Sequence, residues 1–248
     1  VCFLKILFNF WGLKTYNNGL IGVIMYAIVT GASSGLGLSM SKFLISKDYT
    51  VIAASRKLID ISHDNFHHIS VDIRDENSVV DFFHEVEQIT DEVQLFVNNA
   101  GICEMSSVGE TETSSFENQL TTNVTGTFHM LKGLEDLLVD EETHIINILS
   151  TAAHYGYPNV SAYTASMHAM EGLLKSVKKE WSDYKIKFTN LYPGAIDTPL
   201  WDKMNVEFSR DKMLTIEEFM HVFEMVALAP PMVQFPEVTF LHKEGFLE

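Results

Sequence analysis

Short apolar runs alternate along this chain with longer stretches in which apolar residues recur at helical spacing. Runs at 27–29, 50–54, 68–71, 95–97, 144–149 and 238–241, and one closing at Asn190-Leu191-Tyr192, each read as strands. Most are apolar at consecutive positions, as expected for strands covered on both faces. Residues 38–46, 76–89, 116–138, the segment carrying Tyr163, and 215–228 read as helices. In 76–89 the stripe is Val79, Val80, Phe82, Phe83 and Val86, which is most simply core packing. Thr215-Ile216-Glu217-Glu218 carries the signature of a capped helix start. Residues 199–214 are irregular, with Trp201, Met204 and Phe208. Strand and helix alternate without repeats or a low-complexity linker. The pattern predicts a doubly wound α/β domain, a parallel sheet of about seven strands with helices on both faces.

The first strand has a distinctive exit. Tyr26 to Gly37 reads Y-A-I-V-T-G-A-S-S-G-L-G, a strand feeding a helix through Gly31, Gly35 and Gly37. Such a turn can hold a dinucleotide pyrophosphate at the helix N-terminus. The glycines allow a tight turn, a close backbone approach and close packing of helix on strand. At the end of the second strand stand Arg56 and Lys57, with no acid. An acid there would suit a ribose 2′-hydroxyl, whereas an arginine accommodates a 2′-phosphate. This favours NADP(H) over NAD(H), with Arg56 as the contact; a pair of solvated surface cations is the alternative.

Composition narrows the picture. The formal net charge of −16 argues against a nucleic-acid partner. The two cysteines, Cys2 and Cys103, form no disulfide framework and suit a reducing cytoplasm. His63, His67 and His68 lack a metal-binding spacing and read as a solvated loop. The apolar stretch within residues 1–24 is interrupted by Lys5 and Asn9 and is too short for a stable membrane span. Residues 1–24 read as an extension, or as an interfacial helix, and residues 25–248 as the functional domain.

With N-N-A-G at Asn98 to Gly101, after the fourth strand, the motif T-G-A-S-S-G-L-G resembles the short-chain dehydrogenase/reductase family. The resemblance runs from Met25 to about the last strand and implies one Rossmann-type domain. It assigns Thr30, Gly31, Ser33, Ser34, Gly35, Leu36 and Gly37 to the cofactor, with Asn99, Ala100 and Gly101 beside them. Asp72 and Ile73 would border the adenine, and the P-G-x-x-x-T turn of Pro193, Gly194, Ile196 and Thr198 the nicotinamide carboxamide. Ser150 closes the fifth strand and Tyr163 follows thirteen residues later, matching the family's catalytic serine and tyrosine. Asn123 in T-T-N-V-T-G matches its catalytic asparagine, which would hold a water. The resemblance also implies a homodimer or homotetramer with the Asn123 and Tyr163 helices at the interface. It further implies hydride transfer between nicotinamide and a carbonyl or alcohol substrate. His154, Tyr157 and Trp201 would line the substrate pocket, joined by Tyr155 and Met204; plain core packing of these aromatics is the alternative.

One position departs from the family. Its Y-x-x-x-K continues here as Tyr163 to Met167, so a thioether stands where a lysine is expected. Positions i and i+4 share a helix face. A thioether carries no charge and donates no hydrogen bond. Two classes follow: an oxidoreductase of impaired turnover, or a catalytically poor cofactor-binding sensor or partner protein.

Overall fold

The computed structural model describes residues 13–15, 21–140, 142–203 and 209–245. Met204, expected at the substrate, lies outside them, as does Phe208. Leu13–Thr15 and Ile21–Val23 pair as a short antiparallel ribbon. The rest is organised on one sheet of seven parallel strands. These are β1 (Met25–Thr30), β2 (Tyr49–Ser55), β3 (Phe66–Ser70), β4 (Leu95–Asn98), β5 (His144–Ile148), β6 (Lys187–Pro193) and β7 (Glu237–Phe240). Their spatial order is β3-β2-β1-β4-β5-β6-β7. The order reverses between β1 and β4, which opens a crevice at the carboxyl ends of those strands.

The helices are α1 (Gly35–Ser46), α2 (Glu76–Glu87), α3 (Thr113–Leu120), α4 (Gly126–Leu134), α5 (Ser161–Glu180) and α6 (Ile216–Ala227). The period-two alternation of strand side chains divides the core in two. Ile28 and Ile52 face Phe82, Phe83 and Val86 of α2, Met130 and Leu134 of α4, and Met167 and Met170 of α5. Ala27, Val29 and Val51 face Met40 and Leu44 of α1 and Phe219 and Phe223 of α6. Both faces of the sheet are therefore covered, as the continuous apolar runs require. The α6 capping box forms as expected: Glu218 N donates to Thr215 Oγ1 at 3.1 Å, and Thr215 N donates to Glu218 Oε2 at 2.7 Å.

Two local expectations need correction. Residues 116–138 are not one α-helix: α3 begins earlier, at Thr113, and Thr121–Thr125 form a π-helical turn between α3 and α4. A π turn inserts an extra residue, so it swings the side chains that follow and is not visible in a 3.6-residue pattern. The second correction concerns His67, which lies in β3 rather than in a loop, because it pairs with Ile52 of β2; His68 pairs with Ala53 in the same strand, where the run at 68–71 placed it. No helix among the described residues is long and apolar enough to cross a membrane.

Candidate active site

The turn after β1 is fixed from beneath by Thr30, whose side chain is buried. Its hydroxyl accepts hydrogen bonds from the backbone N–H groups of Asn99 and Ala100, each at 2.9 Å, and donates to Val97 O at 3.3 Å. Asn99 Nδ2 returns a bond to Thr30 O at 2.9 Å. Gly31 has φ +66°, in the left-handed region where a side chain is strained. A Cβ at Gly37 would meet Gly31 O at 2.3 Å. Thr30 and Gly37 thus shape the crevice from below, whereas Gly31, Ser33, Ser34, Gly35 and Leu36 line it.

The crevice opens into a cavity of about 800 Å³. At one end it is bordered by Arg56, Asp72 and Ile73, and along its floor by Asn99, Ala100 and Gly101. Ser150, Tyr163, Pro193, Gly194, Ile196 and Thr198 line the other end, with Tyr157 and Trp201 beside them. A single cavity thus gathers most of the residues picked out in the sequence. It also includes Arg74, which the sequence reading missed. Arg74 grips Asp72 through Nη2 to Oδ2 at 2.6 Å and Nε to Oδ1 at 2.9 Å, and this hydrogen-bonded pairing lowers the Asp72 pKa despite partial burial. The signal was present as an arginine two residues after the acid. Cys103, Met105 and Val160 line the cavity too, and nothing in their spacing marked them.

At the end of β5, Ser150 caps a short 3-10 turn, its Oγ accepting from Ala152 N at 3.1 Å. The Ser150 side chain also lies beside the phenol of Tyr163, in the first turn of α5, and both line the cavity. Burial raises the Tyr163 pKa well above the ordinary phenol value, Cys103 adds to the rise, and Ser150 opposes it. One turn on, Met167 is only 4% exposed and lines the cavity. The cations lining the cavity among the described residues are Arg56, Lys57, Arg74 and Lys212.

Asn123 sits in the π turn. Its Nδ2 donates to Ile102 O and to Ser166 Oγ, both at 2.9 Å, and its Oδ1 accepts from Ile102 N at 2.8 Å. Its amide hydrogens are therefore committed to the loop after β4 and to α5. His154 is corrected: it is not part of the cavity lining. Its ring lies on that of Tyr192, with centroids 4.3 Å apart, and its Nε2 meets Glu171 Oε1 at 3.0 Å, which turns it towards the flank of α5. Tyr157 does line the cavity, donating to Thr151 Oγ1 at 3.0 Å, and Trp201 Nε1 donates to Ile196 O at 2.7 Å.

The family described as short chain dehydrogenase matches residues 25–207, which is most of the chain and includes the crevice, Ser150, Tyr163 and the turn after β6. The chain belongs to the short chain dehydrogenase family. Relatives of this chain are named as oxidoreductases. An uncharacterized oxidoreductase of Bacillus subtilis is 33% identical over 71% of this chain and 66% of its own length. An uncharacterized oxidoreductase of Staphylococcus haemolyticus is 27% identical over 86% of this chain and 95% of its own. The 3-amino-tetrahydro-pyrrolizinone reductase of Xenorhabdus hominickii is 30% identical over 72% and 64%. Among solved structures, an alcohol dehydrogenase of Thermococcus sibiricus, complexed with 5-hydroxy-NADP, shares the fold of this chain. Its TM-score is 0.81 at 21% identity, over 91% of this chain and 99% of that one.

Proposed function

We propose that this chain is an NADP(H)-dependent oxidoreductase acting on a carbonyl or alcohol substrate, with turnover lowered by Met167. The observation that carries the reading is one cavity lined by Arg56, the turn after β1, Ser150 and Tyr163 together. The site fits a dinucleotide: Gly37 admits no Cβ, and the turn after β1 opens towards a helix N-terminus. Gly31, Ser33, Ser34, Gly35 and Leu36 would hold the pyrophosphate. Asp72, Ile73, Asn99, Ala100 and Gly101 would flank the adenosine, and Pro193, Gly194, Ile196 and Thr198 the nicotinamide. When bound, the cofactor supplies the hydride chemistry.

The chain's own residues handle the proton and the oxygen. The Tyr163 phenol donates its proton to the substrate oxygen in the reductive direction, and Ser150 holds that oxygen by a hydrogen bond. The apolar lining from Met105, Tyr157, Val160 and Trp201 suits an uncharged, apolar or aromatic substrate. Met167 also favours a second reading, a cofactor-binding sensor or partner with little catalysis. Further elements of the proposal are a cytoplasmic location and a homodimer or homotetramer. The exposed Phe128 of α4 and Phe116 of α3 are compatible with such pairing.

Two measurements test this reading. NADPH is expected to bind more tightly than NADH, because Arg56 can pair with a 2′-phosphate. Arg56→Ala should cut that preference by about tenfold, or about 1.4 kcal/mol. Equal affinities of the parent for both cofactors, measured by calorimetry, defeat the NADP(H) assignment. The second concerns residues 1–24. A chain starting at Met25 should melt and bind NADPH like the full chain, since every motif of the cavity follows it; loss of folding on truncation would assign residues 1–24 a structural role.

A further inference from the structure

Beneath the cavity lies a row of buried amides that the proposed chemistry does not use. Asn98, Asn147 and Asn190 are register partners on β4, β5 and β6, and each is at most 5% exposed. Asn98 Nδ2 donates to Asn147 Oδ1 at 3.2 Å, and Asn147 Nδ2 donates to Asn190 Oδ1 at 3.0 Å. Asn190 Nδ2 donates to the Tyr192 hydroxyl oxygen at 3.2 Å, and that hydroxyl donates to Glu171 Oε1 at 3.2 Å. At the opposite end Asn98 Nδ2 also donates to Thr127 Oγ1 at 3.4 Å, and Thr127 passes its hydrogen to Asn123 O at 2.8 Å. One line of hydrogen bonds therefore joins the π turn to Glu171.

A row of amides on its own has no preferred direction, because each can donate or accept. A carboxylate only accepts. Partial burial pushes the Glu171 pKa up, but hydrogen bonds from Lys175 and His154 outweigh it and keep the group ionised at neutral pH. Tyr192 must then donate to Glu171, which leaves its oxygen to accept from Asn190, and the same choice passes down the row. Aligned bonds in a low-dielectric interior polarise one another.

The same Oε1 also receives His154 Nε2 at 3.0 Å and Lys175 Nζ at 2.9 Å. His154 lies just beyond the turn that Ser150 opens, Glu171 is two turns past Tyr163 on α5, and Tyr192 directly precedes Pro193. We propose that Glu171 is a positioning residue whose carboxylate sets the direction of this buried amide row. In doing so it holds the Ser150 turn, the Tyr163 helix and the Pro193–Gly194 turn as one unit. The inference rests on the proposed oxidoreductase reading only in taking those three segments as the reaction site.

The test uses Glu171→Gln, which can donate and so no longer imposes a direction, and Tyr192→Phe, which keeps the ring but removes the link. Side-chain amide resonances of Asn98, Asn147 and Asn190 are followed in protein labelled with 15N-asparagine. Binding of NADPH is compared with that of adenosine 2′,5′-bisphosphate, which lacks the nicotinamide end. Both variants should shift all three asparagine signals. NADPH affinity should fall about tenfold, as for a lost charge-assisted hydrogen bond, while the bisphosphate stays within about twofold. His154→Gln, which retains a donor for Glu171, should bind NADPH like the parent. Shifts confined to Asn190, or equal losses for both ligands, overturn the proposal. If Glu171→Gln does not fold, Tyr192→Phe decides by the same readouts. A parent that binds neither ligand overturns the proposed function, and the asparagine signals alone then decide the role of Glu171.

Discussion

Met167→Lys is expected to raise the rate of alcohol oxidation at neutral pH by up to about three orders of magnitude. Oxidation needs a proton acceptor, which in the proposed function is the Tyr163 phenolate. Burial raises the Tyr163 pKa above that of a free phenol. The phenolate is therefore scarce at neutral pH and increases tenfold with each pH unit below the pKa. The parent rate should climb with pH at unit slope and show no plateau up to about pH 10, the ordinary phenol value. A lysine at position 167 lies on the same helix face as Tyr163. One unit charge at ~4 Å and an effective dielectric of about 20 is worth roughly 4 kcal/mol. That corresponds to about three pKa units as an upper figure. The plateau should move down the pH axis accordingly, with a smaller gain in NADPH affinity. Met167→Leu should not reproduce the effect, and adding Tyr163→Phe to Met167→Lys should erase it. A parent that is already fast, and a Met167→Lys variant that matches it, would mean that another group supplies the charge. A Met167→Lys protein that binds NADPH but turns over no carbonyl compound would favour the sensor reading.

Gly37→Ala should have the next largest effect, on both stability and cofactor binding. The added methyl would sit 2.3 Å from Gly31 O and 2.8 Å from Gly31 C, and both are backbone atoms that cannot swing aside. Relief requires α1 to move away from the turn after β1. Overpacking of this kind costs about 1–3 kcal/mol. For a chain of this size that is a fall in Tm of roughly 2–12 °C. Because the displaced atoms form the floor of the crevice, NADPH affinity should fall at least about tenfold with it. Gly109→Ala is the matched control, since nothing lies within 4 Å of its added Cβ. Unchanged melting and NADPH binding in Gly37→Ala would remove the close packing from the account.

How much of this was legible beforehand varied with the range of the interaction. The glycine-rich turn was readable because its conformation is set by neighbours within a few residues. The strands were readable because a strand covered on both faces has to be apolar at consecutive positions. Ser150 and Tyr163 were legible through the resemblance, whose serine and tyrosine stand at the same thirteen-residue separation, and both line the cavity. His154 was misplaced because its orientation is decided by Glu171 and Tyr192, which lie on other elements. The π turn at Thr121–Thr125 left no periodic signature, since an inserted residue only shifts the phase of the helix. Arg74 was passed over because its salt bridge with Asp72 shows at a turn, not in a strand or helix pattern.

The Thr30 hydroxyl has a consequence for how a ligand enters. With three hydrogen bonds on one fully buried group, the ends of β1 and β4 cannot be drawn apart without breaking them together. The facing wall is held differently. There Arg210 bridges Asp197 at 2.9 Å and Asp202 at 2.6 Å, through side chains that are substantially exposed. Exposed ion pairs weaken as salt shortens the Debye length to about 8 Å at physiological ionic strength, whereas buried hydrogen bonds do not respond. Salt therefore acts on the two walls unequally, reaching the exposed ion pairs of Arg210 far more than the buried bonds of Thr30.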